Sequence, residues 1–576
     1  MSTNNTPAKR KKLPACDYCK TRRVLCHPQL DGSCPRCLEK GVNCTTTPVI
    51  RRKRRTKAQL AESSGGAGSS SISPAEAPLP SAGNTVALTL PPSLELPAAI
   101  VEKLIGSFCS PYITHPLMSP SEIKTLLADL SSLQPQERVL LHCLMAFSSL
   151  LSMSPFVIGT EEVSAEQLLI FSTSSPLKAP IIPDLRQIGF QREPVFLQLW
   201  AEALWLANQE GIATNPTNVN AASCWVLGHI AQVVLGKGAS PFNSAFVCHV
   251  RCLAEEGNLD DLNTVRYHWH MMGDVLGALT TGKSIQYTPN DEPLLVCHTP
   301  EPLEKLIRDS TTKSFTAGEA FRSIHGFAHH IIRLARETSE NLTSVFARRQ
   351  PLDESFLIKH FASLDLFHSF LIVELDQIAR IVQQSHHNPL HAYYLRLCAH
   401  GFVASWGSLV LTIFEALRDR SLQFAFNATL GGSSNGFVTS LADDRNHERL
   451  QMHLRHARRL ASTAAVEMYK ALREVPSITP LLQHSELVKW TRFLMDEDNV
   501  VDINHEQHLQ ALECFRDAIQ VAGFYCADRT GIVESVNEYL ASSMKRISTR
   551  NDYSTGFEAL YSFTAVSSIN SLVPLA

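Results

Sequence analysis

The sequence predicts a mostly α-helical protein with three parts: a small cysteine-rich head, a low-complexity tether and a large all-α body. Three observations predict it. From about residue 98 onward apolar residues recur at helical spacing, with no serious competing run of strand-like alternation. Six of the 15 cysteines fall between Cys16 and Cys44. Residues 61–97 are rich in Gly, Ser, Ala and Pro, a composition that cannot bury a core.

At 576 residues the chain is too long for one small domain, and its 44% apolar content suffices for a sizeable core. The expected organisation is a basic arm at 1–15, a cysteine cluster at 16–44, and a linker at 45–97 that is first basic and then low in complexity. An all-α domain at 98–530 and a C-terminal segment at 531–576 follow. As a flexible coil, the 61–97 stretch would reach about 35 Å.

Each helix of the body has a local reason. Ser119, Pro120 and Glu122 supply an N-cap, a first-turn proline and a capping-box glutamate ahead of Ile123, Leu126, Leu127 and Leu130. Leu140, Cys143, Leu144, Phe147 and Leu151 line one helical face. Pro194 is expected to open a helix with Phe196, Leu199, Trp200, Ala203 and Ala207 inward, stopped by Gly211. Further helices are expected at 357–385, 390–417, 449–473 and 505–525, with loops at Asn215–Pro216 and Gly431–Gly436. Leu397–Phe414 lacks Asp, Glu, Lys and Arg, but it holds His400, glycines, serines and a threonine. It therefore reads as a buried core helix rather than a membrane span.

The net charge of -3 conceals an asymmetry. Residues 1–60 carry 15 Lys and Arg against 3 Asp and Glu, a net +12, and the remainder carries 37 against 52, a net -15. A basic head on an acidic body points to an anionic partner for the head, nucleic acid or a membrane surface. The start is polar and basic, without a secretory signal, so a reducing intracellular compartment is expected; there, clustered thiols are metal ligands before they are disulfides.

The cluster reads Cys16-x2-Cys19-x6-Cys26-x7-Cys34-x2-Cys37-x6-Cys44. Each Cys-x-x-Cys pair puts two sulfurs within reach of one tetrahedral ion. Six thiolates fill the eight positions of two four-coordinate zinc ions only if two sulfurs bridge. Such a site sums to -2, which the neighbouring Lys and Arg offset. His27 is a competing donor that six thiolates leave unneeded.

Residues 16–44 resemble the DNA-binding domain of the fungal binuclear zinc-cluster transcription factors. The resemblance implies two zinc ions bridged by Cys16 and Cys34, one completed by Cys19 and Cys26 and the other by Cys37 and Cys44. It implies a short helix after each Cys-x-x-Cys pair, the first entering the major groove of double-stranded DNA and reading a CGG-like triplet. The matching basic residues are Lys20, Arg22 and Arg23, and members commonly carry lysine at these positions. Arginine makes a bidentate contact to guanine worth about 1–3 kcal/mol of discrimination. Arg36 and Lys40 are candidate phosphate contacts. Arg51, Arg52, Lys53, Arg54 and Arg55 fit an arm on phosphate or minor groove and a nuclear import signal. The chain departs from the pattern at Leu25, at His27–Pro28 and at Gly32, where the family has a basic residue, another loop and a proline. No heptads follow Lys57, so dimerisation through a coiled coil beside the cluster is not expected.

Residues 98–300 are similar to the middle homology region of that family, through Tyr112–Leu117, Ala201–Gly211 and Ala221–Trp225. The resemblance implies a regulatory all-α domain that meets co-regulators or a metabolite. No enzyme is expected. Gly432–Gly436 matches G-x-S-x-G in a loop-like context, His447–Glu448 and His505–Glu506 lack a second histidine, and no glycine-rich phosphate cradle occurs. Cys248 and Cys252 are expected to be buried thiols, and His268, His270, His329 and His330 ordinary core or surface histidines. Asp552 and Glu558 among Tyr553, Phe557, Tyr561 and Phe563 resemble an activation segment, or a docked final helix.

The chain is thus expected to be a nuclear, zinc-dependent, sequence-specific regulator of RNA polymerase II transcription, an activator first and a repressor second. A helical metabolite-binding protein or enzyme with an accessory zinc module is the alternative from another class.

Overall fold

Every regular element among the described residues is helical, as the spacing of apolar side chains dictates. The computed structural model describes residues 16–22, 26–27, 33–45 and most of 96–545. The tether, the cap at Ser119–Glu122, the Tyr112–Leu117 motif, the Gly432–Gly436 loop and the aromatic residues after 552 lie outside the described residues. The chain divides into two units, Met1–Val86 and Ala87–Ala576.

The first unit contains α1 (Asp17–Thr21) and α2 (Pro35–Glu39). The second contains α3 (Ala98–Phe108), α4 (Pro135–Leu151), α5 (Arg186–Gln209), α6 (Asn218–His229), α7 (Pro241–Glu255) and α8 (Thr264–Thr281). After these come α9 (Asp291–Leu295), α10 (Leu303–Thr312), α11 (Ala317–Thr338), α12 (Glu354–Gln384), α13 (Pro389–Leu430), α14 (Val438–Glu474), α15 (His484–Met495) and α16 (His505–Ala522). A last helix, α17, spans 532–543. Neighbours in sequence pair in space: α4 with α5, α6 with α7, α12 with α13, α13 with α14, and α15 with α16. All of them bury side chains into one continuous core.

Local chemistry sets the helix ends. In α4 the Gln134 N–H donates to Glu137 Oε2 at 2.8 Å, Pro135 fills the first turn, and Leu140, Cys143, Leu144 and Phe147 are buried. The helix expected to open at Pro194 instead begins at Arg186 and carries Pro194 inside it. A proline there removes one intrahelical hydrogen bond, and docking of the preceding turns offsets the loss. Leu185 N–H donates to the Gln520 carbonyl at 3.1 Å, and Arg186 pairs with Glu534 at 2.7 Å. The stop at Gly211 is where it was expected, with a φ of 61° and Ile212 N–H reaching back to the Ala207 carbonyl at 3.3 Å.

The apolar stretch Leu397–Phe414 lies in α13, which starts at Pro389 and runs to Leu430, past the expected end at 417. By length and composition α12 and Pro389–Phe426 could each cross a membrane. In the fold, Phe402, Val403, Trp406, Leu409, Val410, Ile413 and Phe414 are all in the core. Phe402 stacks on Phe327 at 3.9 Å between ring centroids. The core also continues beyond residue 530, where the body was expected to end, because Ile532, Val533, Val536 and Leu540 of α17 are buried in it.

One buried cation stands out. Arg192 of α5 is fully enclosed, donates to the Ser152 carbonyl at the end of α4 at 2.8 Å, and lies 3.9 Å from the Phe524 ring. Burial lowers its guanidinium to about 9. The C-terminal carbonyl and the ring face supply the negative potential that a carboxylate would otherwise provide.

The docking of α5 on the end of α16 is close enough to test. A Cβ on Gly189 would sit 2.1 Å from the Gly523 carbonyl oxygen and 2.6 Å from that of Cys526, whereas a Cβ on the exposed Gly106 of α3 would meet nothing within 4 Å. Gly189→Ala should therefore destabilise the second unit by about 1–3 kcal/mol. Gly106→Ala should stabilise it by about 0.5–1 kcal/mol. Denaturant unfolding of the full chain reads both; a neutral Gly189→Ala would refute the close approach.

Candidate metal centre

Among the described residues of this module, those buried are Cys16, Cys19, Cys34 and Cys37, with Cys26, Cys44, Tyr18 and Val42 packed around them. Cys16 is the extended N-cap residue of α1 and Cys34 that of α2, so each helix starts inside its Cys-x-x-Cys pair rather than after it, as was expected. The helical turn turns the second cysteine of each pair, Cys19 or Cys37, back toward the first.

The two halves repeat each other. Cys16 N–H donates to Cys26 Sγ at 3.5 Å, and Cys34 N–H donates to Cys44 Sγ at 3.3 Å. The second half turns at Gly41, whose φ is 64°. Gly41 N–H donates to the Leu38 carbonyl at 3.2 Å and Val42 N–H to that of Cys37 at 3.0 Å, the paired bonds of a glycine-closed helix end. Asp17 N–H donates to the Thr45 carbonyl at 2.8 Å, which ties the two ends of the module together.

The sulfurs form two quartets, Cys16, Cys19, Cys26, Cys34 and Cys16, Cys34, Cys37, Cys44, with all atoms of each within 4.8 Å of one another. Cys16 and Cys34 belong to both. Their sulfurs are 3.8 Å apart, as are those of Cys19 and Cys34 and of Cys26 and Cys16, and Cys16 and Cys37 are 3.6 Å apart. Metal–sulfur bonds of about 2.3 Å in a tetrahedron give sulfur–sulfur edges of about 3.8 Å. The donor set therefore fits tetrahedral thiolate-bound metal, with the Cys16–Cys34 edge common to both quartets.

The electrostatics separate the cysteines by place. The Cys19 backbone N–H in the first turn of α1 favours the Cys16 thiolate and lowers that thiol to about 6. The Cys37 N–H lowers Cys34 in the same way. Burial pushes Cys19 up to about 12, and it raises Cys37 too. Ionising these last two needs a cation among the sulfurs, which is what a bound metal supplies.

The basic residues surround this centre. Lys20 and Arg22 on and just beyond α1, and Arg36 and Lys40 on and just beyond α2, are exposed. Arg22 holds its guanidinium 5.6 Å over the Tyr18 ring, and Lys20 lies 4.0 Å from Asp17. Arg23 and the run Arg51, Arg52, Lys53, Arg54, Arg55 lie outside the described residues, as do Leu25, Pro28 and Gly32. His27 is exposed and belongs to neither quartet. Sequence reading passed over Gly41 and Tyr18. A glycine just after Lys40 was the available sign of a helix stop, whereas the Tyr18–Arg22 contact depends on side-chain placement.

Among the described residues no cysteine of the body joins a metal-sized group. Cys248, expected to be buried, is exposed. The inward face of α7 is Phe242, Ala245, Phe246, His249, Val250 and Leu253, which turns Cys248 outward. His249 is buried with Nε2 2.9 Å from the Ile212 carbonyl. No family model, no curated protein and no solved structure matches the chain.

Sharing of Cys16 and Cys34 has a direct consequence. Cys16→Ser or Cys34→Ser should cost the protein metal from both quartets, whereas Cys26→Ser or Cys44→Ser should each disturb one. Elemental analysis of the four purified full-length variants reads this as metal per chain. Equal losses in all four would mean that the sulfurs do not bridge.

Proposed function

We propose that this chain is a zinc-dependent, sequence-specific DNA-binding regulator of RNA polymerase II transcription. The observation that carries the reading is the pair of cysteine quartets sharing Cys16 and Cys34, which are the N-cap residues of two short helices that expose Lys20 and Arg36. The protein takes two zinc ions, and with six thiolates they carry a charge of -2, which the +12 head outweighs in favour of nucleic acid. This is the design of the fungal binuclear zinc-cluster transcription factors, which the spacing resembles.

In this reading α1 enters the major groove. Arg22 and Arg23 contact guanines of a CGG-like triplet and Lys20 supports them, while Arg36 and Lys40 meet phosphates from α2. The Arg51–Arg55 run grips the backbone and serves as the nuclear import signal, and the protein works in the nucleus. The helical body is the regulatory part, meeting co-regulators. The acidic and aromatic residues after 552 favour activation over repression.

The test is selection of bound sequences from random duplex DNA by the zinc-loaded full chain, followed by salt titration on the winning site. The expected outcome is enrichment of a CGG-type triplet and an affinity that falls steeply with salt. Each neutralised contact among Arg51–Arg55 should reduce the slope by about 0.9. Recovery of unenriched sequence would reject specific recognition, and an unchanged slope would remove the 51–55 run from the interface.

A further inference from the structure

The body holds a second convergence of ligand-type side chains, drawn from three helices. His268 of α8 is 2% exposed. Its Nδ1 lies 2.8 Å from Nδ1 of His325 on α11. Its Nε2 points toward Glu292 Oε1 of α9 at 3.6 Å, beyond hydrogen-bond reach, and has no hydrogen-bond partner. The same Glu292 oxygen lies 2.5 Å from Nδ1 of His329, one helical turn after His325 on α11. His330 is turned elsewhere, with Nε2 2.9 Å from the Glu301 carbonyl.

A buried ring nitrogen without a partner is costly. When His268 donates from Nδ1 to His325, Nε2 presents a lone pair toward a carboxylate oxygen, and two acceptors face each other across 3.6 Å. A cation between them removes the conflict. This is also how metal-binding histidines are held: one ring nitrogen on the ion, the other tied to an outer partner that fixes the tautomer. Two imidazoles and one carboxylate form a donor set suited to zinc and other divalent transition ions. Ligand atoms about 2.0–2.1 Å from a tetrahedral ion are about 3.3 Å apart. The separations of 3.6 Å and 2.5 Å to Glu292 lie on either side of that edge, while the His268 and His329 nitrogens stand more than 4.8 Å apart.

We propose that His268 Nε2, Glu292 and His329 Nδ1 form a second metal site, which binds a divalent transition-metal ion such as Zn²⁺ while His325 orients His268. Among the described residues, the groups whose ligand atoms already fall within 4.8 Å of one another are the cysteine quartets. Binding here therefore draws the two rings in on Glu292 and ties α8, α9 and α11 together. An ion at this position gives the helical body its own response to metal, independent of the cysteines and of DNA.

The full-length protein is stripped with chelator, reloaded with Zn²⁺, freed of excess, and its zinc per chain measured. His329→Ala and Glu292→Gln should each hold one ion fewer than wild type, and a Cys16→Ser chain should still bind zinc through the body. X-ray absorption at the zinc edge of the wild-type chain needs no variant. Nitrogen and oxygen neighbours at about 2.0–2.1 Å beside sulfur at about 2.3 Å are expected. Sulfur alone, or unchanged zinc content in both His329→Ala and Glu292→Gln, overturns the site.

Discussion

The burial of thiolates around a shared pair of sulfurs is the constraint on which the head of this protein rests. Among the described residues of a stretch as short as Cys16–Cys44, cysteine sulfurs occupy the interior where a larger domain would place aliphatic side chains. Burial opposes ionisation of Cys19, while the first helical turn favours it at Cys16. A metal resolves this opposition, because its charge is placed where the sulfurs converge. The short helices follow from the same arrangement. Each is capped by a shared cysteine and points its basic side chains outward, since its inward positions are taken by sulfur.

The body obeys a different rule. Its helices bury aliphatic and aromatic side chains in one core, and its ends are closed by backbone contacts such as Leu185 to Gln520. Some of the polar groups inside that core are held to specific partners. Arg192 takes the Ser152 carbonyl just past α4 and the face of Phe524, and Ser310 donates to Glu374 at 2.6 Å. Such groups add little net stability, but an unmatched one is expensive, so they favour one packing over its alternatives. Among the described residues, sulfur fills the interior of the head, and aliphatic and aromatic side chains fill that of the body.

What was legible in the sequence follows from range. The two Cys-x-x-Cys pairs were readable from spacing along the chain, whereas the sharing of Cys16 and Cys34 came from the family resemblance; helix α4 was readable because its apolar face is a local pattern. Pro194 misled because its usual place is a helix start, whereas here the turns before it are secured by residues near 520, a contact no local pattern contains. Cys248 misled because a cysteine between apolar neighbours can face either way on a helix, and its facing was decided by His249 and Val250. His268, Glu292 and His329 were ordinary singly; their convergence is a product of the fold.

The central claim is that Cys16 and Cys34 each serve two metal ions at once. It is tested most directly by loading the full chain with the NMR-active isotope of cadmium and recording which cysteine Cβ protons couple to each ion. The account predicts two resonances in the thiolate range, both coupled to Cys16 and Cys34, one also to Cys19 and Cys26 and the other to Cys37 and Cys44. A single thiolate resonance, or two that share no cysteine, would contradict it.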